Sequence, residues 1–580
     1  MRRTTRIRVP WGMIAGVWLA ACSGSHDDEL GNDGTSMDGS IAGDGAAGDP
    51  PSDAALGHDA ASDGDSSGDG DGGRGQGDGD AGSSDAGGDA SSEIPRNKIV
   101  WVNASSGSDG NAGTSEAPFK TVAYAFSQVG EHGLVWLQPS AFTNANEGFQ
   151  GTEIYDGVHA PLDTFVRGTG PGVTVGITLN YAQGGSLEDV AVELAETGRV
   201  LVTGGALRLL GVSFQRSATS GVLDPIEVSG DAKVTLEPGN DPNHDYIGPG
   251  AAPVGTFAML RDASEFAVKG GVIDGFSGRA FYLDGTARLT LQNVAITDNA
   301  NMLVSNEGVL SLNSKASHIL LEDTTLDMQN HGGAACIIQD DQVFDADPTT
   351  TTITVRRSKL KGCWGGGMQL REGDPVVVVE DSEFSQSTGR YGIESGQIGF
   401  DSGQVFGKPK LTVTGSTFSN NYMGGIAMRS GGSLSLSGGT VTANGRTGFP
   451  GDAGVLLTGG FPYALAMRGV SVTNNFMSGV SVSGDGSASF DLGTLASPGN
   501  NVLTGNATQQ LRLETAADSV VPAIGNTWTA SQQGAGADGR YAVSSAHCGN
   551  ANPCQFTSGT GINYAFVGAG TNARVQLAAQ

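Results

Sequence analysis

Three sets of residues in this sequence have the types and spacing to do chemistry. Asp340-Asp341, with Thr297-Asp298 and His331-Gly332 upstream, offers paired carboxylates and an imidazole, the equipment of glycosidic-bond hydrolysis. Arg371, Glu394 and Arg429 set two guanidinium groups around a carboxylate, and Trp364 and Tyr391 lie near them in sequence. Together these five are candidates for holding a glycan with anionic groups. Asp alternates with Gly through Asp63-Gly64-Asp65 and Asp69-Gly70-Asp71-Gly72, as ligands do in calcium loops, yet no stretch places Glu where such a loop needs it. No cofactor is therefore expected, Ca²⁺ having no specific motif to hold it.

Composition limits what can position these groups. The chain has 61 Asp and Glu against 32 Lys and Arg, a formal charge of -29, which excludes nucleic acid as a partner because phosphate binding needs a basic surface. Gly fills 93 of 580 positions without a G-X-Y period. That argues against both a collagen-like and a helical chain, since Gly costs about 1 kcal/mol per helix position.

The amino terminus reads as a targeting segment. Arg2, Arg3, Arg6 and Arg8 precede an apolar run from Val9 to Ala21, too short for a bilayer span of ~20 residues. Its close, Leu19-Ala20-Ala21-Cys22, resembles the lipobox of bacterial lipoproteins. The resemblance implies a signal peptide over 1–21 and acylation of Cys22. With Ser23 rather than Asp following, it also implies a lipid anchor in the bacterial outer membrane. From 22 to 95 the chain is almost wholly Gly, Asp, Ser and Ala, with 18 acidic residues against the single basic Arg74, and is predicted to be a disordered linker. Such a linker would reach roughly 45 Å, enough to hold a folded domain clear of the lipid.

A composition shift at about Arg96 opens the folded part. Ile99-Val100-Trp101-Val102, the loop Gly107-Ser108-Asp109-Gly110-Asn111-Ala112-Gly113-Thr114, Ala117-Pro118-Phe119-Lys120-Thr121-Val122, a helical spacing through Phe126 and Val129, and Leu134-Val135-Trp136-Leu137 follow in order. This succession resembles the amino-terminal cap of the DUF1565 group of right-handed parallel β-helix proteins, in the pectin-lyase-like superfamily. The resemblance implies an all-β, right-handed parallel β-helix solenoid over 96–545 with a short capping helix (cap about 97–140) and a carboxy-terminal tail over 546–580.

The residues carry their own repeat. Apolar centres at Ile273, Ile296, Leu326, Leu360, Phe384, Phe418, Val441, Val472 and Leu503 recur about every 29 residues, a solenoid period. Asn299, Asn421, Asn444, Asn475 and Asn506 each stand three residues after such a centre, a register that suits a side-chain ladder at a turn. Cys363 takes the same register and reads as a buried small residue, while its pairing with Cys336 stays open. Cys548 and Cys554, five residues between them, are predicted to close a local disulfide in an exported chain.

Aligning coils on Gly367, Gly392, Gly425, Gly454 and Gly479 turns Met368, Ile393, Ile426, Val455 and Val480 inward. Gln369, Glu394, Ala427, Leu456 and Ser481 then face out. Arg371 and Arg429 stand outside, ~10 Å apart, flanking Glu394 and an open Gly396, where they could clamp an acidic glycan stacked on Trp364 and Tyr391. As charges on neighbouring strands they could equally form exposed cross-strand pairs worth about 0.2–1 kcal/mol. Arg167-Gly168-Thr169-Gly170-Pro171 lacks the R-x-P-x-x-R of pectate lyases, and His331 precedes the Asp pair, the reverse of the polygalacturonase order. The sequence thus favours a surface-displayed, non-enzymatic β-helix lipoprotein, bound to the membrane by its lipid and to polysaccharide or another envelope component, or serving a structural role. A polysaccharide lyase or glycoside hydrolase acting on acidic polysaccharide is the alternative, and the fold hosts both classes.

Overall fold

Short runs with an apolar residue at every second position form strands here because each run finds an equivalent partner one coil later. The computed structural model describes residues 98–194, 198–215, 224–247, 255–276, 278–297, 308–313, 316–329, 335–339, 350–371, 373–396, 408–446, 453–459, 462–484, 489–507, 510–515 and 520–528, with strands at 541–544, 554–558, 561–566 and 574–576. The chain divides into residues Met1–Gly88 and Asp89–Gln580, and every described residue belongs to the second unit. Cys22, the acidic linker and Cys548 lie outside the described residues.

Among the described residues the strands form a parallel β-helix with three faces. The first sheet has 15 strands, from Ile99–Val102 to Ser489–Asp491, and the second has 16, from Val158–Ala160 onward. The third face is a 4-stranded sheet through Ser140–Thr143 and Ser213–Gln215, then a 10-stranded sheet from Val272–Ile273 to Thr527–Trp528. All nine apolar centres fall in this last sheet and pair directly, Ile273 with Ile296 and so on to Val472 with Leu503. Each is buried, and Phe384 and Phe418 stack with ring centroids 5.2 Å apart. One column of like side chains thus fixes the coil-to-coil register.

The turn from the first sheet to the third repeats one backbone solution. Asn293, Asp323, Arg357, Asp381, Gly415, Gly438 and Gly469 hold equivalent places, all with φ between 46° and 66°. Gly, Asn and Asp tolerate this left-handed region. Arg357 occupies it with its guanidinium bonded to Glu322 and Asp323 at 2.7 and 2.8 Å.

The cap forms as its residues imply. Helix α1, Val122–Val129, buries Val122, Ala125, Phe126 and Val129 over the first coil. Asp109 Oδ1 accepts from the Lys120 and Thr121 amides, and Glu147 accepts from those of Val122 and Ala123, so the free N–H groups at the helix start are met by two carboxylates. The loop must be glycine-rich where it passes under Phe119: a Cβ on Gly107 would lie 2.1 Å from the Phe119 carbonyl oxygen. At the other end, Gly561–Phe566 pairs in parallel with Leu511–Thr515, so the second sheet continues past 545 into the stretch expected to be a tail.

Candidate functional site

Of the five residues singled out for glycan binding, Tyr391 and Glu394 lie in a strand of the second sheet, Arg371 and Arg429 directly follow strands of it, and Trp364 stands in the turn before it. Its strands Ala335–Gln339, Met368–Leu370, Tyr391–Ser395, Gly424–Met428, Ala453–Leu457 and Ser478–Gly484 stack with Ile337, Met368, Ile393, Ile426, Val455 and Val480 in one inward column. All six are fully buried, which is the register the sequence implies.

The opposite face differs from expectation. Gln369, Glu394, Ala427, Leu456 and Ser481 point out of the bore but are buried. Tyr391, Ala427, Ala453 and Leu456, with Met423 against them, form a small apolar cluster separate from the main core. Within this covered face Glu394 is 2% exposed and accepts from Arg429 Nε at 2.9 Å and from Arg390 Nη1 at 3.3 Å. Arg429 also donates to the Tyr391 hydroxyl (3.2 Å), and its guanidinium lies 5.2 Å from that ring centre. Arg371 is buried and donates twice to Gln369 Oε1, at 3.0 and 3.2 Å. The two arginines are therefore held by neighbours within the protein instead of standing as a pair of open clamps. Gly396 is not open either: with φ at 76°, a Cβ there would sit 3.1 Å from Arg429 Cβ. Tyr391 is buried beneath Arg429, so it presents no ring face for stacking.

Trp364 is the accessible member of the set, 41% exposed. It sits at the corner between the third and second sheets, directly after the column that runs Cys363, Ser387, Asn421, Asn444, Asn475, Asn506. The asparagines of that column are buried and bonded amide to amide: Asn421 to Asn444 at 3.0 Å, Asn444 to Asn475 at 3.0 Å, Asn475 to Asn506 at 2.9 Å. Asn299 lies outside the described residues. At the top of the column a disulfide joins Cys363 to Cys336.

The residue after each column member faces the corner. In order these are Trp364, Thr388, Tyr422, Gly445, Phe476 and Ala507, so an aromatic residue falls on every second coil, two strand spacings or about 10 Å of backbone from the next. Phe476 is 50% exposed and Tyr422 half-buried. The Trp364 indole lies over Gly389 of the next coil, where a Cβ would come within 2.8 Å of it. The two intervening coils carry Arg390 and Arg446 beside the gap, and the Arg446 amide donates to the Tyr422 carbonyl at 2.7 Å. Arg446 is exposed and has no ion-pair partner among the described residues. Lys361 is spoken for: its ammonium bonds Asp327 at 2.9 Å, and that hydrogen bond raises its pKa.

Sequence reasoning reached Trp364 and missed Tyr422, Phe476 and Arg446. The signal was present in two near-identical copies, Asn420-Asn421-Tyr422-Met423 and Asn474-Asn475-Phe476-Met477, which put an aromatic directly after a ladder asparagine. Of the possible hydrolytic fragments, Thr297 closes a strand, whereas Asp298, His331, Gly332, Asp340 and Asp341 lie outside the described residues.

A family model described as "right handed beta helix region" matches residues 346–520. Among solved structures, the periplasmic alginate epimerase AlgG is 12% identical, with 72% of this chain and 84% of that one covered at a TM-score of 0.32. A rhamnogalacturonan lyase is 11% identical (66% and 82% covered, TM-score 0.24). The A-module of the Azotobacter vinelandii mannuronan C-5 epimerase AlgE6 is 10% identical (77% and 92% covered, TM-score 0.23). No curated protein matches the chain.

Proposed function

We propose that this right-handed β-helix is a non-enzymatic, lipid-anchored protein of the bacterial outer membrane that holds an acidic glycan along the corner through Trp364, Tyr422 and Phe476. The observation that carries the reading is the alternation along that corner: aromatic residues on every second coil, with the exposed Arg446 on the coil between Tyr422 and Phe476. An extended polysaccharide advances per sugar by nearly the spacing of parallel strands, so every second sugar would meet an aromatic residue and the one between Tyr422 and Phe476 would meet the Arg446 guanidinium. The Cys336–Cys363 disulfide supports a location outside the reducing cytosol. The lipobox at Cys22 supplies the anchor in this reading, and the strand, loop and helix of the cap support a place in the DUF1565 group.

The test uses the full mature chain in detergent against immobilised uronate polymers and cell-wall fragments. Binding should be present at 0.1 M salt and largely lost at 1 M, as the Debye length shrinks from ~10 to ~3 Å. Trp364→Ala, Phe476→Ala and Arg446→Ala should each weaken it roughly five- to tenfold, about 1 kcal/mol apiece, with the melting temperature unchanged. Absence of binding across the set would overturn the glycan reading. Release of unsaturated or reducing ends by the wild type would overturn the non-enzymatic one in favour of a lyase or hydrolase.

A further inference from the structure

A second feature lies at the amino-terminal end of the first sheet. Trp101 pairs in register with Trp136, Trp136 with Arg167 and Arg167 with Glu188, so four large side chains form one row on the outer face. The two indoles stack with centroids 5.5 Å apart and planes 17° from parallel, and the Arg167 guanidinium lies 5.4 Å from the Trp136 ring centre. Arg167 Nε also approaches Asp189 at 3.4 Å and Glu188 at 3.6 Å. Beside this row the turn Gly168-Thr169-Gly170-Pro171-Gly172 leaves an open cleft of about 850 Å³ that reaches Ser213 and Gln215. Gly170 adds no bulk there, and a Cβ at that position would meet nothing within 4 Å.

We propose that this cleft is a second carbohydrate site, one that takes a neutral oligosaccharide. Three features argue for that class. The paired indoles form a half-buried apolar wall: Trp136 lies between Trp101 and the Arg167 guanidinium, and sugar C–H groups would pack on the parts of the two rings left open to solvent. The polar groups around it, Arg167, Asp189, Ser213 and Gln215, mix donors with acceptors, as a ring of hydroxyls requires. The charge is already balanced and more: one guanidinium faces two carboxylates, so a uronate entering the cleft would meet net negative charge. The volume lies within the ~300–1,000 Å³ usual for small-ligand sites, room for a few sugars and not for a long track. The corner site selects charge and length, whereas this one selects hydroxyls, so the two could hold different parts of the envelope at once.

Tryptophan fluorescence of the full mature chain, titrated with cellotetraose, mannotetraose and trigalacturonate at 0.1 and 1 M salt, tests the proposal. The expected result is a saturable change with a neutral tetrasaccharide, equal at both salt concentrations. It should weaken at least tenfold in Trp136→Ala and severalfold in Asp189→Asn and Gln215→Ala, and stay unchanged in Phe476→Ala. The two polar variants leave the stacked indoles in place and keep the test valid should Trp136→Ala fold poorly. Saturation by trigalacturonate alone, no saturation by either neutral sugar, or a response indifferent to Asp189→Asn and Gln215→Ala would overturn it. Loss in Phe476→Ala with retention in Asp189→Asn would assign the binding to the corner instead.

Discussion

Cys336 and Cys363 are bonded across two successive coils, their Cα atoms 5.6 Å apart and both residues buried. Cys336 is in register with Gly367, Gly392, Gly425, Gly454 and Gly479, and Cys363 with the ladder asparagines. In later coils that glycine faces the asparagine of the next coil: a Cβ on Gly392 would lie 3.0 Å from Asn421 Nδ2, on Gly454 2.7 Å from Asn475 Nδ2, and on Gly479 2.6 Å from Asn506 Nδ2. The disulfide is therefore the covalent form of a contact that the other coils make between a glycine and an amide.

Removing that bond should loosen the coils it ties. The two cysteines are 27 residues apart, and closing a loop of that size restrains the unfolded chain by roughly 3 kcal/mol. Cys336→Ala with Cys363→Ala should lower the unfolding free energy by about that amount in denaturant titrations. An unchanged midpoint would mean that the neighbouring coils hold the register unaided.

The ladder should be costly to interrupt. Asn444 makes four hydrogen bonds through its side chain: Oδ1 accepts from the Asn421 amide and Nδ2, and Nδ2 donates to the Phe418 carbonyl and to Asn475 Oδ1. Asn444→Ala strands these buried partners at about 1–3 kcal/mol each, so a loss of at least about 3 kcal/mol is expected in urea melts. Lys410→Ala, on the exposed end of a first-sheet strand, should change stability by less than about 0.5 kcal/mol. Equal effects from the two would contradict the ladder.

The fold was legible wherever one residue per coil must match its neighbours. Nine apolar centres and four ladder asparagines could be read because a slip of one residue would turn each side chain to the other face. The covered outer face of the second sheet was not legible. Gln369, Glu394, Ala427, Leu456 and Ser481 mix polar and apolar types, as a solvent-facing row does, and their burial depends on groups from other coils, such as Tyr391 against Ala427 and Leu456. The disulfide was legible in principle, through the glycine-to-asparagine contact, but that relation needs the distance between coils as well as their alignment. Trp101 and Trp136 read as strand residues, and their stacking depends on a register that the cap alone sets.

Glu147 predicts a pH dependence in the cap. Burial raises its pKa above the ordinary 4.5, opposed by the amides of Ala123 and Val122 that it accepts from. A carboxyl with a raised folded-state pKa binds more protons folded than unfolded, so its contribution to stability falls as pH rises from about 4.5 through the raised value. Glu147→Gln removes the titration. The melting temperature of the wild type should therefore drop relative to this variant as pH rises through that window, and a constant difference between the two from pH 4 to 8 would rule the effect out.

Arg429 separates a structural role from a binding one. Its guanidinium bonds Glu394, bonds the Tyr391 hydroxyl and covers the Tyr391 ring, while Glu394 itself is nearly closed to solvent. Arg429→Ala leaves that carboxylate with Arg390 alone, at 3.3 Å. Breaking a buried pair from one side costs roughly 3–5 kcal/mol, and because Arg429 keeps 20% of its side-chain surface in solvent the lower end applies, about 3 kcal/mol. The melt of Arg429→Ala should fall accordingly, and Glu394→Ala should fall by at least as much, since it leaves two arginines without their carboxylate. Affinity for an acidic glycan, measured below the melting transition, should stay within about twofold of wild type because the corner rings and Arg446 are untouched. The opposite pattern, an unchanged melt with binding lost, would return Arg429 to the role of a glycan clamp and move the site from the corner to the face of the second sheet.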